Sequence, residues 1–557
     1  MAKTFKIVFL GGIGEIGKNM TAIEYSNDII IIDAGMSFPG YNMPGIDYII
    51  PDISYLKSNR EKIRGVILTH GHEDHIGSLP YLIKDIPGIP VFGTRLTIAL
   101  CQHKFRENKI PDNNLNVITE GDVINVGFFK IEFIKATHSI AGACHLAIET
   151  PIGMIFHTGD YKFDYTPIDG KMTDLGRLAD LGNKGVVLML GESTNIEKEG
   201  HSMSEKHVGQ SLDYIFSQNL NKRLIIATFA SNIYRIQQII DLAVKYDRKV
   251  AFSGRSMINI AEMAFKIGEL KFEHTDIVEI DKIKRYPHEK TVIICTGGQG
   301  EPMSALSRMS TGDFDKVVVN SKDTVVLSSS PIPGNEKMVL TVVNNLYRLG
   351  ADVIYEALHE VHASGHAYVE ELKLMMSLIK PKFFIPVHGE YRHLKKHSFM
   401  AQSLGIDKEN IFVPEAGSTV IIQRSCIKQG PNVQAGNIYV DGYATGDMDS
   451  LVLKDRQHLA EDGFILVILN LLYLKPGNND EFFAGLDVIT RGFHSTDGFA
   501  AEVRDVVRSA LSQFDFDHCD DNAAIKTIIK RALKKYIFNK YKQNPMIMPI
   551  VLDSVRE

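Results

Sequence analysis

The stretch Thr69-His70-Gly71-His72-Glu73-Asp74-His75-Ile76-Gly77 constrains this chain more than any other, because it gathers three imidazoles and the Asp74 carboxylate within six residues. The run before it, Arg64-Gly65-Val66-Ile67-Leu68, is apolar and β-branched, the pattern of a buried strand. From Ile76 to Asp85 apolar residues recur at helical spacing. The cluster therefore sits on a strand-to-helix turn, where side chains converge at the edge of a sheet. Imidazole nitrogen and carboxylate oxygen together suit zinc or manganese. His70 and His72, two apart on extended backbone, point the same way and are placed to hold one ion. Asp74 and His75 lie further round the turn and face a second. Four ligands are too few for two ions, so later residues must complete both shells.

The chain has 557 residues, enough for two to four domains, and 44% hydrophobic with 23% charged residues is ordinary for globular protein. No apolar run is long enough to cross a bilayer, and Met1 to Val8 enters a strand without the pattern of a signal peptide. Cys101, Cys144, Cys295, Cys426 and Cys519 are scattered and never form a CxxC pair, which fits reduced thiols and argues against a disulfide framework or a Cys-based zinc site. A cytoplasmic protein with no membrane contact is expected. The net charge of −6 is not the global signature of a nucleic-acid binder, although local positive charge and bound metal ions can serve instead.

Strands are expected at 5–10, 21–25 and 28–33. The loop Gly11-Gly12-Ile13-Gly14-Glu15-Ile16-Gly17 looks like a dinucleotide-binding turn, but the element after it reads as a strand, so that reading fails its context. Asp33 is placed either to orient the metal cluster as a hydrogen-bond acceptor or to cap the strand end. A strand at 128–137 ends at His138, and one beginning at Gly153 ends at Asp160, so ligand-type side chains again stand at strand ends. His157 is expected to be structural. The strand from Leu188 carries Glu192 near its end.

After that the character changes. Residues 207–350 show a fresh alternation of helices (205–218, 232–245, 335–349) and strands (224–228, 250–253, 291–296, 324–328), read as an inserted α/β domain. Its loops 296–302 and 328–335 are rich in Gly and Ser and suit either phosphate oxygens or simple turns. The first pattern then returns. Val361-His362-Ala363-Ser364-Gly365-His366 leads into a helix at 367–379, and the strand 383–387 ends at His388. Residues 426–447 include a Gly/Pro-bearing linker, and 448–557 form a third, small α/β domain. Its helix at 522–542 sets Lys526, Lys530, Arg531, Lys534, Lys535, Lys540 and Lys542 against an apolar stripe, a solvated face over a packed one.

The HxHxDH run is similar to the signature of the metallo-β-lactamase superfamily, and the whole arrangement resembles its β-CASP branch, whose members act on nucleic acids, in particular the bacterial ribonuclease J family. The match runs through Gly11–Asn19, Asp33-Ala34-Gly35, Gly45–Asp52 and His70–His75. It continues through Thr137–Ile140, Thr158-Gly159-Asp160, Phe229–Arg235, Gly300–Met303, His362–His366, Pro386–Arg392 and Pro545–Pro549, and so covers nearly the whole chain. It departs where the family has Ser-Asp and this chain has Gly191-Glu192, where Pro-Glu is replaced by Ala141-Gly142, and at His494-Ser495-Thr496. No metal ligand is lost.

The resemblance implies an αββα metallo-β-lactamase sandwich split between 1–206 and 360–425, a β-CASP domain at 207–359, a linker at 426–447 and a C-terminal α/β domain at 448–557. It implies a pair of zinc ions, with manganese or magnesium able to replace them. His70, His72, His138 and Asp160 would hold one, and Asp74, His75, Asp160 and His388 the other, with Asp160 bridging. Water activated there would attack the scissile phosphorus in line, Asp74 would accept its proton, and His366 oriented by Glu192 would assist the leaving 3′-oxygen. Ser231, Asn232, Ile233, His362, Ala363, Ser364, Gly365 and His366 would contact substrate, including a 5′-monophosphate. The activity implied is a ribonuclease of RNA maturation and decay, cutting 5′ to 3′ from monophosphorylated ends and also internally. Gly45, Asp47 and Asp441 resemble a structural calcium site, with exposed turn acids the equal alternative. The partners implied are single-stranded RNA, a second copy of the chain in a homodimer or homotetramer through the C-terminal domain, and a paralogous subunit or other RNA-decay proteins. A small-molecule metallohydrolase such as a thioesterase or lactonase, and a non-catalytic RNA scaffold, remain as alternatives; the inserted domain argues against the first and the complete ligand set against the second.

Overall fold

The computed structural model describes residues 5–40, 43–301, 303–332, 334–355, 360–423, 426–442, 444–446, 450–472, 483–512 and 522–554. Pro302, Pro333 and Cys519, and the expected domain limits at 359 and 447–448, lie outside the described residues. The chain forms two compact units, Met1–Ser37 with Ile49–Asn437, and Phe38–Tyr48 with Ile438–Glu557.

In the first unit the strands sort into two sheets because their side chains alternate between two environments. Phe5, Ile7, Phe9, Ile23, Ile30 and Ile32 pack with Ile131, Phe133, Leu146, Ile148, Leu188 and Leu190 of the facing sheet in one cluster. The intervening residues of the first sheet, among them Val8, Ala22, Ile29, Ile31 and Val66, turn outward under helices that include Leu79–Asp85 and Arg95–Glu107. On the far side of the second sheet Ala147, Phe156, Met189 and Phe384 lie under the helices Leu175–Lys184, Val369–Ile379 and Tyr391–Ser403. The result is four layers, helix, sheet, sheet, helix. Asp28–Ile32 is buried along its whole length, as a strand covered on both faces must be.

Among the described residues the first sheet runs, in order, from Ile427–Gln429 through Thr419–Ile422, Phe5–Gly11, Met20–Tyr25, Asp28–Ile32, Ile63–Ile67 and Val91–Thr94 to Leu115–Ile118. The second runs from Phe383–Val387 through Val186–Glu192, Gly153–His157, Cys144–Thr150 and Phe129–Lys135 to Val123–Val126. Val186–Glu192 and Phe383–Val387 are parallel neighbours, with Glu192 opposite Val387. The chain thus leaves this sheet after Glu192 and rejoins it beside the strand it left, which sets Glu192 and His388 at one sheet end.

Between those strands lies a module with its own parallel sheet, in the order Lys249–Ser253, Thr291–Cys295, Arg223–Ala227, Asp323–Leu327 and Asp352–Ile354. The helices Arg255–Lys266 and Ala305–Thr311, and the strand Asp352–Ile354, were not legible in the sequence. Arg255–Lys266 buries only Met257, Ala261 and Ala264, a stripe too small in side-chain bulk to announce itself. The element after the Gly11–Gly17 loop is a strand, as expected, and Ile13–Gly14 pairs with Gly389–Glu390. The stretch read as a linker holds ordered backbone: Ile427–Gln429 pairs antiparallel with Thr419–Ile422, and Asn437–Asp441 is a further strand. Its Gly and Pro punctuate short strands.

Several buried imidazoles make this unit acid-sensitive, and His397 is one that stands outside the expected metal ligands. His397 is fully buried on Tyr391–Ser403, its Nδ1 is 3.0 Å from Ser193 Oγ, its ring lies 4.7 Å from that of Phe384, and its Nε2 has no hydrogen-bond partner among the described residues. Burial pushes its pKa down to about 3. From the ordinary value of about 6.5 down to that value, the unfolded chain binds a proton that the folded chain refuses, so stability falls on acidification by up to ~1.4 kcal/mol per pH unit. His397→Leu should remove the His397 share of this slope and leave that of the other buried imidazoles, read as a flatter dependence of the urea midpoint on pH below 6.5. An unchanged slope would contradict the assignment.

In the second unit Phe464–Leu472 pairs antiparallel with Phe483–Arg491 and parallel with Met546–Ser554. Ile465, Val467 and Leu469 pack beneath the helices Phe499–Leu511 and Asn522–Tyr541 through Val503, Val507, Ile529 and Leu533. The buried stripe Ile525, Ile529, Leu533 and Ile537 under an exposed basic face follows the sequence reading. The other face of the sheet leaves Ile489, Met548, Ile550 and Leu552 exposed. Among the described residues no helix is long and apolar enough to cross a membrane.

Candidate metal centre

His70, His72, His138, Asp74, His75, Asp160 and His388 meet at the ends of the two sheets, in two groups. The first is His70, His72 and His138. His70 Nε2 lies 3.1 Å from His72 Nδ1, which lies 3.1 Å from His138 Nε2. A tetrahedral ion at metal–nitrogen distances of about 2.05 Å sets its ligands ~3.3 Å apart, so the three nitrogens fit one ion. Burial lowers all three imidazoles, most strongly His70 and His138, and takes His72 down to about 4; the neighbouring rings add to it. They are therefore held neutral, the state in which imidazole binds a metal.

The second group is Asp74, His75, Asp160 and His388. Asp160 Oδ1 is 2.8 Å from His388 Nδ1, and its Oδ2 is 3.1 Å from His75 Nε2. Asp74 Oδ2 is 3.5 Å from His75 Nε2 and 3.4 Å from His388 Nε2. Burial opposes charge here, but the Asp160 and Asp74 carboxylates outweigh it, holding His75 well above its ordinary value and raising His388 to about 10. The buried Nε2 of His388 has no hydrogen-bond partner among the described residues although Asp74 faces it, the donor pattern of a cation site. Asp160 also lies 3.7 Å from His70 Nε2, so a single carboxylate faces both groups.

Backbone geometry aims these groups. His388 has φ 50°, in the left-handed region that non-glycine residues seldom occupy, immediately after its strand. Asp33 has φ 60° and does both things the sequence allowed. Its Oδ1 accepts from Thr69 N at 2.8 Å, while its Oδ2 accepts from Thr69 Oγ1 at 2.8 Å and lies 2.7 Å from His75 Nδ1. This fixes the ring so that Nε2 faces the site. Asp33→Ala should weaken metal binding ~10–100-fold with the ligands intact. Chelator competition would show it, and an unchanged affinity would reduce Asp33 to a cap.

A third group, Asp160, Glu192, His366 and His388, adjoins the second. Glu192 accepts from Tyr161 N at 2.9 Å and lies 2.8 Å from His366 Nδ1. Burial opposes protonation of His366, yet Glu192 raises it above the ordinary imidazole value. Gly365 carries its carbonyl to 2.6 Å from His138 Nδ1, and a Cβ there would stand 2.6 Å from the His138 ring, so only glycine fits. Ser364 Oγ accepts from Asn195 Nδ2 at 2.7 Å and from His366 N at 3.2 Å.

The residues expected to contact substrate sit in varied surroundings. Asn232 is buried, and its Oδ1 caps the helix Ile233–Lys245 by accepting from Arg235 N at 3.1 Å. The side chains of Ile233 and Ala363 lie in the hydrophobic core. Ser231 and His362 are partly exposed, with the His362 Nδ1 buried. His157 is structural: its Nδ1 accepts from Gly159 N at 2.9 Å. Asn19 and Asn195 carry no sequence signal of a role at the site. Asn19 Nδ2 donates to Asp74 O at 3.1 Å and lies 3.1 Å from His75 Nε2, at the end of the glycine-rich loop that follows the first strand.

In the second unit Gly45, Asp47 and Asp441 come together, but Arg456 lies among them. Its Nη2 donates to Asp441 Oδ2 at 2.5 Å and its Nη1 to Gly45 O at 3.1 Å, while Asp47 Oδ2 accepts from Gly442 N at 2.8 Å. One oxygen of each residue expected to take calcium is thus engaged by a donor of the chain itself.

Comparison with known proteins gives four family matches: the metallo-beta-lactamase superfamily over residues 13–180, the ribonuclease J beta-CASP domain over 221–346, the Zn-dependent metallo-hydrolase RNA specificity domain over 350–414 and the ribonuclease J C-terminal domain over 451–554. The chain is 40% identical to Ribonuclease J 1 of Streptococcus pyogenes, covering 98% of this chain and 96% of that one. It is 40% identical to Ribonuclease J of Thermus thermophilus over 98% and 95% of the two chains. A solved structure of a protein of unknown function from Enterococcus faecalis shares the fold, with a TM-score of 0.53 at 17% identity over 76% of this chain and 100% of that one.

Proposed function

This chain belongs to the ribonuclease J family, and on that footing we propose that it is a two-zinc hydrolase that degrades RNA 5′ to 3′ from monophosphorylated ends and also cuts internally. Its membership and its clustered His and Asp ligands make it a metal-dependent ribonuclease that binds RNA. The imidazole-rich first group favours zinc, and manganese or magnesium could replace it in the more acidic second. The domain limits we propose are 1–206 with 360–425 for the metal-binding domain, 207–359 for the inserted one and 448–557 for the last.

His70, His72, His138 and Asp160 would hold one ion, and Asp74, His75, Asp160 and His388 the other. Divalent ions so held lower the pKa of water and offset charge on phosphoryl oxygens. Asp74, acidic and part-exposed at the edge of the cluster, is placed to accept a proton from the attacking water. Glu192 holds His366 by Nδ1, which leaves Nε2 free to donate a proton to the leaving 3′-oxygen. Ser231, Asn232, Ile233, His362, Ala363, Ser364, Gly365 and His366 are the residues we assign to substrate contact, through side chain or backbone. The observation that carries this reading is Asp160, one buried carboxylate within 3.7 Å of imidazoles from both groups.

The test is the product pattern from 5′-labelled RNA. Mononucleotides from 5′-monophosphorylated RNA, few from triphosphorylated RNA, and none with His72→Ala are expected. Ester hydrolysis with intact RNA would overturn the reading. Self-association through the last domain is supported by the exposed apolar sheet face that holds Ile489, Met548, Ile550 and Leu552. Ile550→Lys should shift sedimentation toward monomer, and an unchanged assembly would place the interface elsewhere.

A further inference from the structure

The segment 361–366 delivers His366 to the centre and the Gly365 carbonyl to His138, yet its own anchorage lies outside the centre. That anchor is Arg235, a fully buried guanidinium on the helix Ile233–Lys245 of the inserted module. Its Nη1 donates to Val361 O at 2.8 Å and to Ser328 Oγ, and Ser328 Oγ donates to the same carbonyl at 2.6 Å. Its Nη2 donates to Glu205 Oε2 at 2.6 Å, on a carboxylate itself 3% exposed at the start of the helix Glu205–Gln218. One planar fork therefore ties Glu205, which starts the helix leading into the module, and the module's own helix and strand-end loop to the residue that begins the segment. Four residues further on, Gly365 O meets His138 Nδ1 at 2.6 Å, and His366 Nδ1 meets Glu192 Oε2 at 2.8 Å.

Resting on the ribonuclease reading above, we infer that Arg235 is a positioning residue, which registers the inserted module against segment 361–366 and so sets the orientation of His138 and His366. A fork is required because three acceptors in different directions must be satisfied at once; a lysine ammonium at the end of a flexible stem cannot hold all three in plane. The carbonyl that Gly365 presents fixes the His138 tautomer and ring angle, and loss of such a partner weakens metal binding ~10–100-fold. The buried side chains of Val361 and Ala363 also hold the segment, but Arg235 and Ser328 are what fix the direction of its first carbonyl.

The test uses the full chain. Arg235→Met alone strands the Glu205 carboxylate in the interior, so the working variant is Arg235→Met with Glu205→Gln, which removes both charges. The control is Arg223→Met with Asp323→Asn, a second buried pair of the same module (2.8 and 2.9 Å) that makes no hydrogen bond to segment 361–366 among the described residues. Zinc affinity of the metal-free proteins is read by competition with a chromophoric chelator, and kcat and KM are read on 5′-monophosphorylated RNA. The Arg235/Glu205 variant should bind the tighter-held zinc about 10-fold or more weakly and lose at least about 10-fold in kcat, with KM within about threefold. Arg235→Lys should fall between it and the parent, and the control should match the parent in zinc affinity. Zinc affinity and kcat within twofold of the parent would overturn the inference, as would equal losses in the control. Should the double variant fail to fold, Arg235→Lys decides: weakened zinc binding in a folded protein supports the role, and parental values refute it. Absence of RNA cleavage by the parent itself would instead sink the family-based reading, while the zinc measurement would still judge Arg235.

Discussion

Asp160→Asn is expected to leave the fold in place and to remove nearly all nuclease activity, by about 10³–10⁴-fold, or ~4–5.5 kcal/mol of barrier. Asparagine keeps the shape of the side chain, which is 2% exposed and closely surrounded. What it loses is the charge and one acceptor. Asp160 faces His388 Nδ1 at 2.8 Å, His75 Nε2 at 3.1 Å, His70 Nε2 at 3.7 Å and His366 Nδ1 at 3.8 Å. No other carboxylate among the described residues is paired with imidazoles of both groups. An amide NH2 turned toward either group would repel a cation there. The metal content of purified protein should therefore fall from two ions per chain toward one, measured by elemental analysis, in step with the activity. A variant that retained two ions and activity within tenfold of the parent would sink the shared-ligand reading.

Glu371→Ala should be the most damaging change outside the metal centre. The Glu371 side chain is 1% exposed and accepts from Phe163 N at 2.7 Å, Ser202 N at 2.8 Å, Ser202 Oγ at 2.8 Å and Tyr368 N at 2.8 Å. One carboxylate thus satisfies three backbone donors and a hydroxyl drawn from three separate segments, and caps the helix Val369–Ile379 that follows His366. Alanine leaves all of them without an acceptor in the interior. Each such orphan costs ~1–3 kcal/mol, and because the losses overlap we expect ~3–5 kcal/mol in total. Urea unfolding should show a lower midpoint with an unchanged slope, and Glu371→Gln, which keeps one oxygen, should lose less. A loss below about 1 kcal/mol would mean that water or rearranged loops take over the donors.

The two predictions draw on different kinds of legibility. Asp160 was visible because a strand pattern ran into it and because an acid at a strand end had precedents at Asp33 and Glu192. Glu371 gave no signal, since a glutamate in the first turn of a helix is commonplace and its partners lie up to 208 residues away. The surroundings of the expected substrate contacts were hidden for the same reason. Asn232 caps its own helix through the bond from Arg235 N, and the side chains of Ile233 and Ala363 fill the core. Asp47 and Asp441 have the composition of a calcium site, and the sequence could not reveal that Arg456 reaches in.

What the sequence determined by itself is what local spacing controls. The HxHxDH run, the strand and helix periods and the chemistry of the ligands all follow from residues a few positions apart. The tertiary structure alone decided which distant side chains share a hydrogen bond. His388 meets Asp160 across 228 residues, Gly365 orients His138 across 227, and Arg235 holds Val361 across 126. Periodicity assigns a residue to a face; which acceptor it meets there depends on sheet register and on how the inserted module is seated, and those are set by packing of the whole unit.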